Sequence, residues 1–105
     1  VAPPRLLVRL PPRLGTDLLA LEMEDHYVRV HTVLGSDLIL MRMRDAIAEL
    51  DGLAGQQIHR SWWVAQRAVR EVLRDGRNLR LRLSNGKVAP VARNMVPLLK
   101  RAGWL

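Results

Sequence analysis

The stretch Leu79-Arg80-Leu81-Arg82-Leu83-Ser84-Asn85-Gly86-Lys87-Val88 decides the fold class of this chain. Its first five residues alternate strictly between leucine and arginine, which is the period of a strand with one buried and one solvated face. Asn85-Gly86 then accepts the positive φ values of a type I′ turn, so residues 88–91 are expected to pair back as a hairpin. The sequence therefore predicts antiparallel β structure in this region.

Similar short segments fill much of the chain from Leu18 onward. Residues 27–32 alternate apolar and polar side chains, as a half-buried strand does, and a turn at residues 34–37 leads to a return strand at 38–41. Two more strands are predicted, at 58–64 and at 69–73. Asp75-Gly76-Arg77 then turns the chain into the alternating strand.

Two helices interrupt the strands. Met43, Ala46, Ile47 and Leu50 follow the spacing of a helix face, and Gly52 stands where a C′ residue is expected. Near the end of the chain, Asn94 is predicted to cap a second helix, with Pro97 in its first turn and Gly103 at its end.

The fold class predicted from these segments is mainly β, because short strands separated by turns roughly every ten residues are typical of a sandwich or barrel. One or two short helices complete it, and a mixed α+β fold is the alternative. The chain has 105 residues, which is enough for one domain with one modest core.

Residues 1–15 differ from the rest in composition. Four prolines suppress helix and remove ladder donors, while three arginines keep the segment solvated. We therefore expect a linker or peripheral arm at 1–15, whose apolar residues 6–8 and 10 can dock as an edge strand, and one domain at 16–105.

The charge of the chain points to a polyanionic partner. The chain has 17 basic residues, 15 of them arginines, and 10 acidic residues. Its formal net charge is +7 and its isoelectric point is near 11.4. Such a charge favours nucleic acid over a membrane surface, and a planar guanidinium can bond two acceptors on phosphate or guanine at once. The alternative is a merely solvated basic face.

Several other classes are disfavoured. The absence of cysteine excludes disulfides, thiolate zinc sites and cysteine nucleophiles, and fits a cytoplasmic location. No apolar run reaches the ~20 residues of a membrane-spanning helix, and no signal-peptide pattern opens the chain. His26, His31 and His59 lack the paired spacing of zinc motifs, so no metal or other cofactor is expected.

The run His59-Arg60-Ser61-Trp62-Trp63 places an imidazole, a guanidinium and a hydroxyl together, which suits an anionic ligand. His59 and Ser61 share one face of a strand, so a hydrolase is conceivable. However, no glycine-rich elbow, oxyanion-hole motif or orienting carboxylate accompanies them. An enzyme is therefore not expected, and a basic protein- or RNA-interaction module is the stronger alternative to duplex DNA binding.

Three segments in order, residues 21–32, 59–64 and 85–93, resemble the LytTR family of DNA-binding domains over roughly residues 16–102. The resemblance rests on Glu24-Asp25-His26-Tyr27, on His59-Arg60-Ser61-Trp62-Trp63-Val64 and on Asn85-Gly86 leading to Pro90-Val91-Ala92-Arg93. It implies an elongated sandwich of three small antiparallel sheets, whose loops enter successive major grooves of promoter DNA. It also implies the output domain of a bacterial transcription regulator.

The resemblance assigns the DNA contacts to three loops. The residues that it assigns are Asp25, His26, Arg60, Ser61, Arg93 and Asn94. Arginine can meet guanine O6 and N7 with two hydrogen bonds, so Arg60 and Arg93 are the expected base readers. His26 and Ser61 are expected to position the protein on phosphates, and Asp25 to fix its loop. Arg80, Arg82, Lys87 and Lys100 are further candidates for phosphate contact, and His59 is expected to brace its loop.

The chain departs from the family pattern at Ala65, Ala92 and Gln56 or Gln57, where polar, aromatic or arginine side chains are usual. These departures affect the expected phosphate contacts and leave Arg60 and Arg93 in place. The remaining expectations concern assembly. We expect a homodimer on repeated half-sites and, because the chain begins at Val1, an upstream sensor, receiver or membrane segment that can anchor the parent protein in the inner membrane.

Overall fold

The computed structural model describes residues 2–105 of the chain, and within them strands predominate over short helices. The strands are β1 (Leu18–Glu24), β2 (Tyr27–Thr32), β3 (Gly35–Leu40), β4 (Gly55–His59), β5 (Trp62–Ala65), β6 (Val69–Asp75), β7 (Asn78–Leu83) and β8 (Val88–Val91). The α-helices are α1 (Met43–Ala48) and α2 (Val96–Arg101), and 3₁₀ helices span Arg5–Arg9, Pro12–Leu14, Gln66–Ala68 and Arg93–Met95. Within residues 2–105, no helix combines the length and the hydropathy needed to cross a membrane. The mainly β prediction is confirmed.

The strands form two antiparallel sheets, whereas the resemblance to the LytTR family implies three. The first sheet has the order β3-β2-β1-β5-β4 and the second the order β6-β7-β8. The reason is that β1 pairs on one side with β2 and on the other with β5, which joins the three antiparallel strands β1–β3 to the β4–β5 hairpin in a single five-stranded sheet. The domain is elongated, with principal extents of 40 × 26 × 23 Å.

The hairpin of β7 and β8 forms where the alternation predicts it. Leu79, Leu81 and Leu83 are buried while the residues between them are exposed. The predicted type I′ turn is wrong, however, because within residues 2–105 only Asp25 and Asp51 have a positive φ among non-glycine residues, and Asn85 is not one of them. Gly86 alone supplies the positive φ, of 84°, while the Asn85 side chain accepts a 3.0 Å hydrogen bond from the amide of Lys87.

Two predicted boundaries move for the same reason. The predicted strand at 58–64 is divided, because β4 and β5 pair with each other and Arg60 and Ser61 close the turn between them. The return strand of the first hairpin likewise begins at Gly35, so Val33 and Leu34 form the turn. Neither turn contains Gly or Pro, and Val33-Leu34 is apolar as well, so the residue types that usually mark a turn are missing in both places.

The helices lie close to their predicted positions. The first helix forms as predicted but ends at Ala48, and Gly52, with a φ of 81°, follows in the turn beyond it. Asn94 does not cap α2, contrary to the prediction; it lies inside the 3₁₀ helix Arg93–Met95, and Met95 occupies the N-cap position. Pro97 lies in the first turn of α2 as predicted.

Residues 2–15 pack against the domain. They form two 3₁₀ helices in place of the predicted edge strand, and the leucine side chains at 6, 7, 10 and 14 are all buried in the common hydrophobic core. The amide of Leu6 donates to the carbonyl of Glu49 over 3.1 Å, and Arg9 forms an ion pair with the Glu49 carboxylate. This segment therefore contributes to the core that the strands share.

Both adjacent tryptophans are buried, although strand alternation predicts one of them at an edge, a sheet junction or an interface. Trp63 packs so tightly over Gly55 that a Cβ at that position would overlap its ring. Trp62 stacks on the imidazole of His31, with ring centroids 5.8 Å apart and planes within 4°. The strand that follows the Arg60-Ser61 turn is thus fixed on both of its faces.

Candidate nucleic-acid interface

The first candidate loop is the turn between β1 and β2. Glu24 pairs with Tyr27, so Asp25 and His26 alone connect the strands, and both side chains are exposed. Asp25 has a φ of 55°, in the left-handed region that aspartate tolerates better than most residues. Asp25 therefore supplies the left-handed backbone conformation of this turn. The exposed side chain of His26 is accessible to a ligand.

The second candidate loop is the turn between β4 and β5, and His59 spans it. The Nδ1 atom of His59 lies 2.9 Å from Ser61 Oγ and accepts a 3.2 Å hydrogen bond from the Ser61 amide. Accepting through Nδ1 leaves the neutral imidazole protonated at Nε2. This geometry suits a brace, and it leaves Arg60 exposed at the tip of the turn while the Ser61 hydroxyl faces inward to His59.

The third candidate loop follows β8. The amide of Ala92 donates to the carbonyl of Ile58 over 2.8 Å, which ties this loop to the strand that leads into the Arg60 turn. Met95 N then donates to Ala92 O over 2.9 Å, so the 3₁₀ helix begins at once and presents Arg93 and Asn94 to solvent.

Backbone hydrogen bonds hold the three loops next to one another. Met23 N donates to Ser61 O over 2.8 Å, which joins the first turn to the second, and the Ala92–Ile58 bond joins the second to the third. We call these loops, Asp25-His26, Arg60-Ser61 and Arg93-Asn94, the turn row. Its order follows the strand order of the first sheet and continues into β8.

Two recesses lie between members of the turn row and their neighbours. The larger, of about 460 Å³, lies between the second and third loops, and its lining includes Gln56, Gln57, His59, Arg60 and Asn94. The smaller, of about 280 Å³, lies beside the first loop and includes His26, Leu40, Met41 and Arg42. The structure thus brings Arg60 and Asn94 to one groove, while His26 faces a separate one.

Charge is distributed unevenly over the arginines. Among residues 2–105, Arg60 and Arg93 have no carboxylate within 4.0 Å. Arg29, by contrast, bonds the Glu24 carboxylate through Nε at 2.5 Å, and this hydrogen bond holds the pKa of Glu24 below its usual value. The guanidinium groups in the second and third loops are therefore available to an external anion, whereas that of Arg29 is already bound to the Glu24 carboxylate.

The candidates for phosphate contact fall into three groups. Arg80 and Arg82 lie on the exposed face of β7, but Arg82 bonds the Glu71 carboxylate through two nitrogens, at 2.9 and 2.5 Å. Lys87 lies in the turn between β7 and β8, at the end of that sheet away from Arg93, and Lys100 lies on α2. Arg80 is the one best placed to add to the charge of the turn row.

His31 is a buried polar residue behind the turn row. Its side chain is only 3% exposed, and Nε2 lies 3.0 Å from Glu22 Oε1. Burial lowers the pKa of His31, because the charged imidazolium loses solvation, and the hydrogen bond to Glu22 offsets this only in part. The ring is therefore neutral at neutral pH and donates from Nε2 to the Glu22 carboxylate.

This shift predicts how stability depends on pH. The folded pKa of His31 lies below its unfolded value of about 6.5, so below that pH the unfolded chain binds more protons. We expect this contribution to the free energy of unfolding to be complete above about pH 6.5 and to be lost as the pH falls. Urea titrations of the wild type and of His31→Gln between pH 5 and 8 measure it. Equal pH dependence in the two proteins would contradict the expectation.

The surroundings of His59 and the grouping of metal-ligating side chains bear on catalysis and on metal binding. His59 contacts Ser61 through the same nitrogen that accepts the Ser61 amide, and no carboxylate among residues 2–105 lies within 4.0 Å of its ring. A catalytic histidine that activates serine needs a second group to orient it. Within the same residues, no group of three or more metal-ligating side chains is suitably placed.

Four residues that line the two grooves of the candidate interface carry no assignment from the sequence. Gln56, Gln57 and Met95 line the larger groove, and Arg42 lines the smaller one. The two glutamines were noted only as departures from the family pattern. Arg42 belongs to none of the three motifs. The sequence indicates only that it lies directly after the predicted strand at residues 38–41.

Fold and surface together define a class of protein. Arginines that lie without carboxylate partners on neighbouring exposed turns of a basic domain are the charge pattern expected of a nucleic-acid-binding protein. The sequence matches the LytTr DNA-binding domain family over residues 14–104, and the chain therefore belongs to that family. No curated protein sequence matches the chain.

A solved structure supports the fold. It is the LytTr DNA-binding domain of a Bacillus cereus protein described as a methyl-accepting/DNA response regulator. The two share 16% sequence identity with a TM-score of 0.71, and the likeness covers 81% of this chain and 79% of that one.

Proposed function

We propose that this chain binds double-stranded DNA sequence-specifically by inserting the turn row into successive major grooves, as the output domain of a bacterial transcription regulator. The observation that carries the proposal is the turn row itself. Two backbone hydrogen bonds fix its three loops side by side, and two of these loops carry arginines that have no carboxylate partner among residues 2–105.

Each residue of the turn row has a proposed role. Arg60 and Arg93 read guanine through paired hydrogen bonds, and Asn94 contacts the base or sugar next to them. His26 donates to a phosphate or base, while Asp25 sets the turn that presents it. Ser61 reaches a phosphate only by giving up its contact with Nδ1 of His59, so its contribution is smaller than that of Arg60.

Around the turn row, Arg80 neutralises phosphates, and Arg82, Lys87 and Lys100 add to the field that attracts the duplex. Two copies occupy repeated half-sites about one helical turn apart, with some bending of the DNA. The chain acts in the cytoplasm, under the control of a sensor, receiver or membrane segment in the same parent protein.

A basic module that binds RNA or an acidic protein is the second candidate, favoured by the net charge of +7. Readers of single-stranded RNA usually expose aromatic side chains on a sheet face. Here two of the three tryptophans are buried, and Tyr27 is the aromatic residue with substantial exposure, at 44%. Duplex DNA therefore fits the surface better.

Selection of duplexes from a random DNA pool, followed by footprinting, tests the proposal. We expect a recurrent motif whose protected bases fall in two or more adjacent major grooves. Enrichment of no motif, together with binding of RNA or of an acidic protein that equals binding of any duplex, would favour the second candidate.

A further inference from the structure

An exposed arginine lies just beyond the first end of the turn row. Arg42 follows β3, whose last residue, Leu40, pairs with Tyr27 directly after the Asp25-His26 turn. Arg42 lines the same recess as His26. It is exposed, and among residues 2–105 no carboxylate lies within 4.0 Å of its guanidinium. At this end of the first sheet, Arg42 is therefore a free cation beside the outermost loop.

A second exposed arginine lies beyond the other end. Leu79 of β7 pairs with Val91 of β8, so the chain before Leu79 and the chain after Val91 leave the second sheet at the same end. Arg77 occupies the turn between β6 and β7, two residues before Leu79, just as Arg93 lies two residues after Val91. The Arg77 turn is thus the neighbour of the third loop.

The charge of this second end is positive despite one acid. Asp75 is the acid of the β6–β7 hairpin tip, and Arg74 and Arg77 flank it, all three being exposed. Within the described residues neither arginine has a carboxylate within 4.0 Å. The tip therefore carries an excess of unpaired positive charge next to Arg93.

We propose that Arg42 and Arg77 clamp the DNA backbone at opposite ends of the turn row, so that the contacted duplex extends beyond the bases read by the three loops. The inference rests on the proposed function. The longest extent of the domain is 40 Å, compared with about 34–36 Å for one helical turn of DNA, so a turn row that follows this axis would bring side chains at its two ends to phosphates outside the bases that the loops read. Side chains beyond the outermost loops meet those phosphates and carry no sequence information.

The first test is the salt dependence of binding to the duplex obtained from the random pool. Each contact with a phosphate contributes about 0.9 to the slope of log affinity against log salt concentration. We expect Arg42→Ala and Arg77→Ala each to reduce the slope by about that amount without changing the preferred bases. Arg42→Lys and Arg77→Lys retain the charge and should retain the slope.

Arg70→Ala is the matched control. Arg70 is an exposed arginine on the same strand as the Arg77 hairpin, at the opposite end of β6, and it bonds only backbone carbonyls. The substitution removes the same charge from the chain but lies away from the turn row. It should leave the slope unchanged, which separates local contact from net charge.

The second test combines each variant with duplexes shortened stepwise from either end of a single half-site. The wild type should lose affinity when either flank is removed. Arg42→Ala should be insensitive to shortening at one end only, and Arg77→Ala at the other end only. Loss at the same end for both variants, or equal loss on every duplex, would overturn the proposal.

The two levels of inference fail in different ways. If the wild type binds its selected duplex but the variants keep its salt slope and its dependence on duplex length, the clamps are wrong and the proposed function stands. If the wild type prefers no duplex at all, both are wrong.

Discussion

Replacing Leu6 by alanine is expected to lower the free energy of unfolding by about 2–5 kcal/mol, the range for large-to-small substitutions at fully buried positions. Leu6 has 0% exposure and belongs to the core that both sheets share, although it lies in the segment that the sequence marks as an arm. The loss combines the transfer energy of the removed carbons with the cavity left behind. Urea unfolding followed by tryptophan fluorescence measures it.

Val8→Ala supplies the control within the same 3₁₀ helix. Val8 is 84% exposed, so its substitution should change stability by no more than about 0.5 kcal/mol. A loss below about 1 kcal/mol for Leu6→Ala would mean that the first residues detach without cost to the domain. A large loss for Leu6 alone would establish that residues before the family match at residue 14 are needed for stability.

The arm shows where sequence patterns fail. Its prolines correctly argue against an α-helix, but the predicted edge strand does not form, and the chain instead forms 3₁₀ helices that begin after Pro4 and at Pro12. The residue pattern does not show that the leucines of this segment are buried in the common core. The segment is held by residues about 40 positions away, where Asp51 and Glu49 accept hydrogen bonds from Arg5 and Arg9. Contacts between residues so far apart in the sequence produce no repeating pattern of apolar and polar residues within the segment itself.

The strands were predicted wherever one face is buried and the other solvated, as in β7, where leucines and arginines alternate. Prediction failed where both faces of a strand are covered. Residues 62–65 are all buried, so no alternation marks where β5 begins, and the Arg60-Ser61 turn has no glycine or proline to mark it. The resemblance to known domains placed these two residues in a loop when the residue pattern did not.

In the candidate site, too, one part could be predicted from the sequence and another could not. The sequence supplied the loops and their side chains, because order and spacing of three motifs are local properties. Their arrangement depends on two backbone hydrogen bonds between distant residues, Met23 to Ser61 and Ala92 to Ile58. Since every residue other than proline carries the same amide and carbonyl groups, such bonds leave no signal in the sequence. The groove between Arg60 and Asn94 was therefore not predictable.

The largest effect on recognition is expected from Arg60 and Arg93. Removing either guanidinium should cost about 1–3 kcal/mol of discrimination at one base pair, because a guanine edge loses two hydrogen bonds. The two side chains lie on separate loops without a shared partner, so the losses in the double variant should add to about 2–6 kcal/mol. Since both arginines are exposed, stability should change little.

Arg80→Ala is the control that distinguishes the loss of base recognition from the loss of one positive charge. It also removes one exposed positive charge, but from the outer face of β7, and should weaken binding to every duplex alike. Affinities of the three single variants and of the double variant are measured on the selected duplex, on single-base changes and on random duplexes at one salt concentration. Each reading arginine should relax preference at its own base pair. If Arg93→Ala weakens specific and random duplexes equally, as Arg80→Ala is expected to do, Arg93 contacts only the backbone and the base readout belongs to another residue of the turn row.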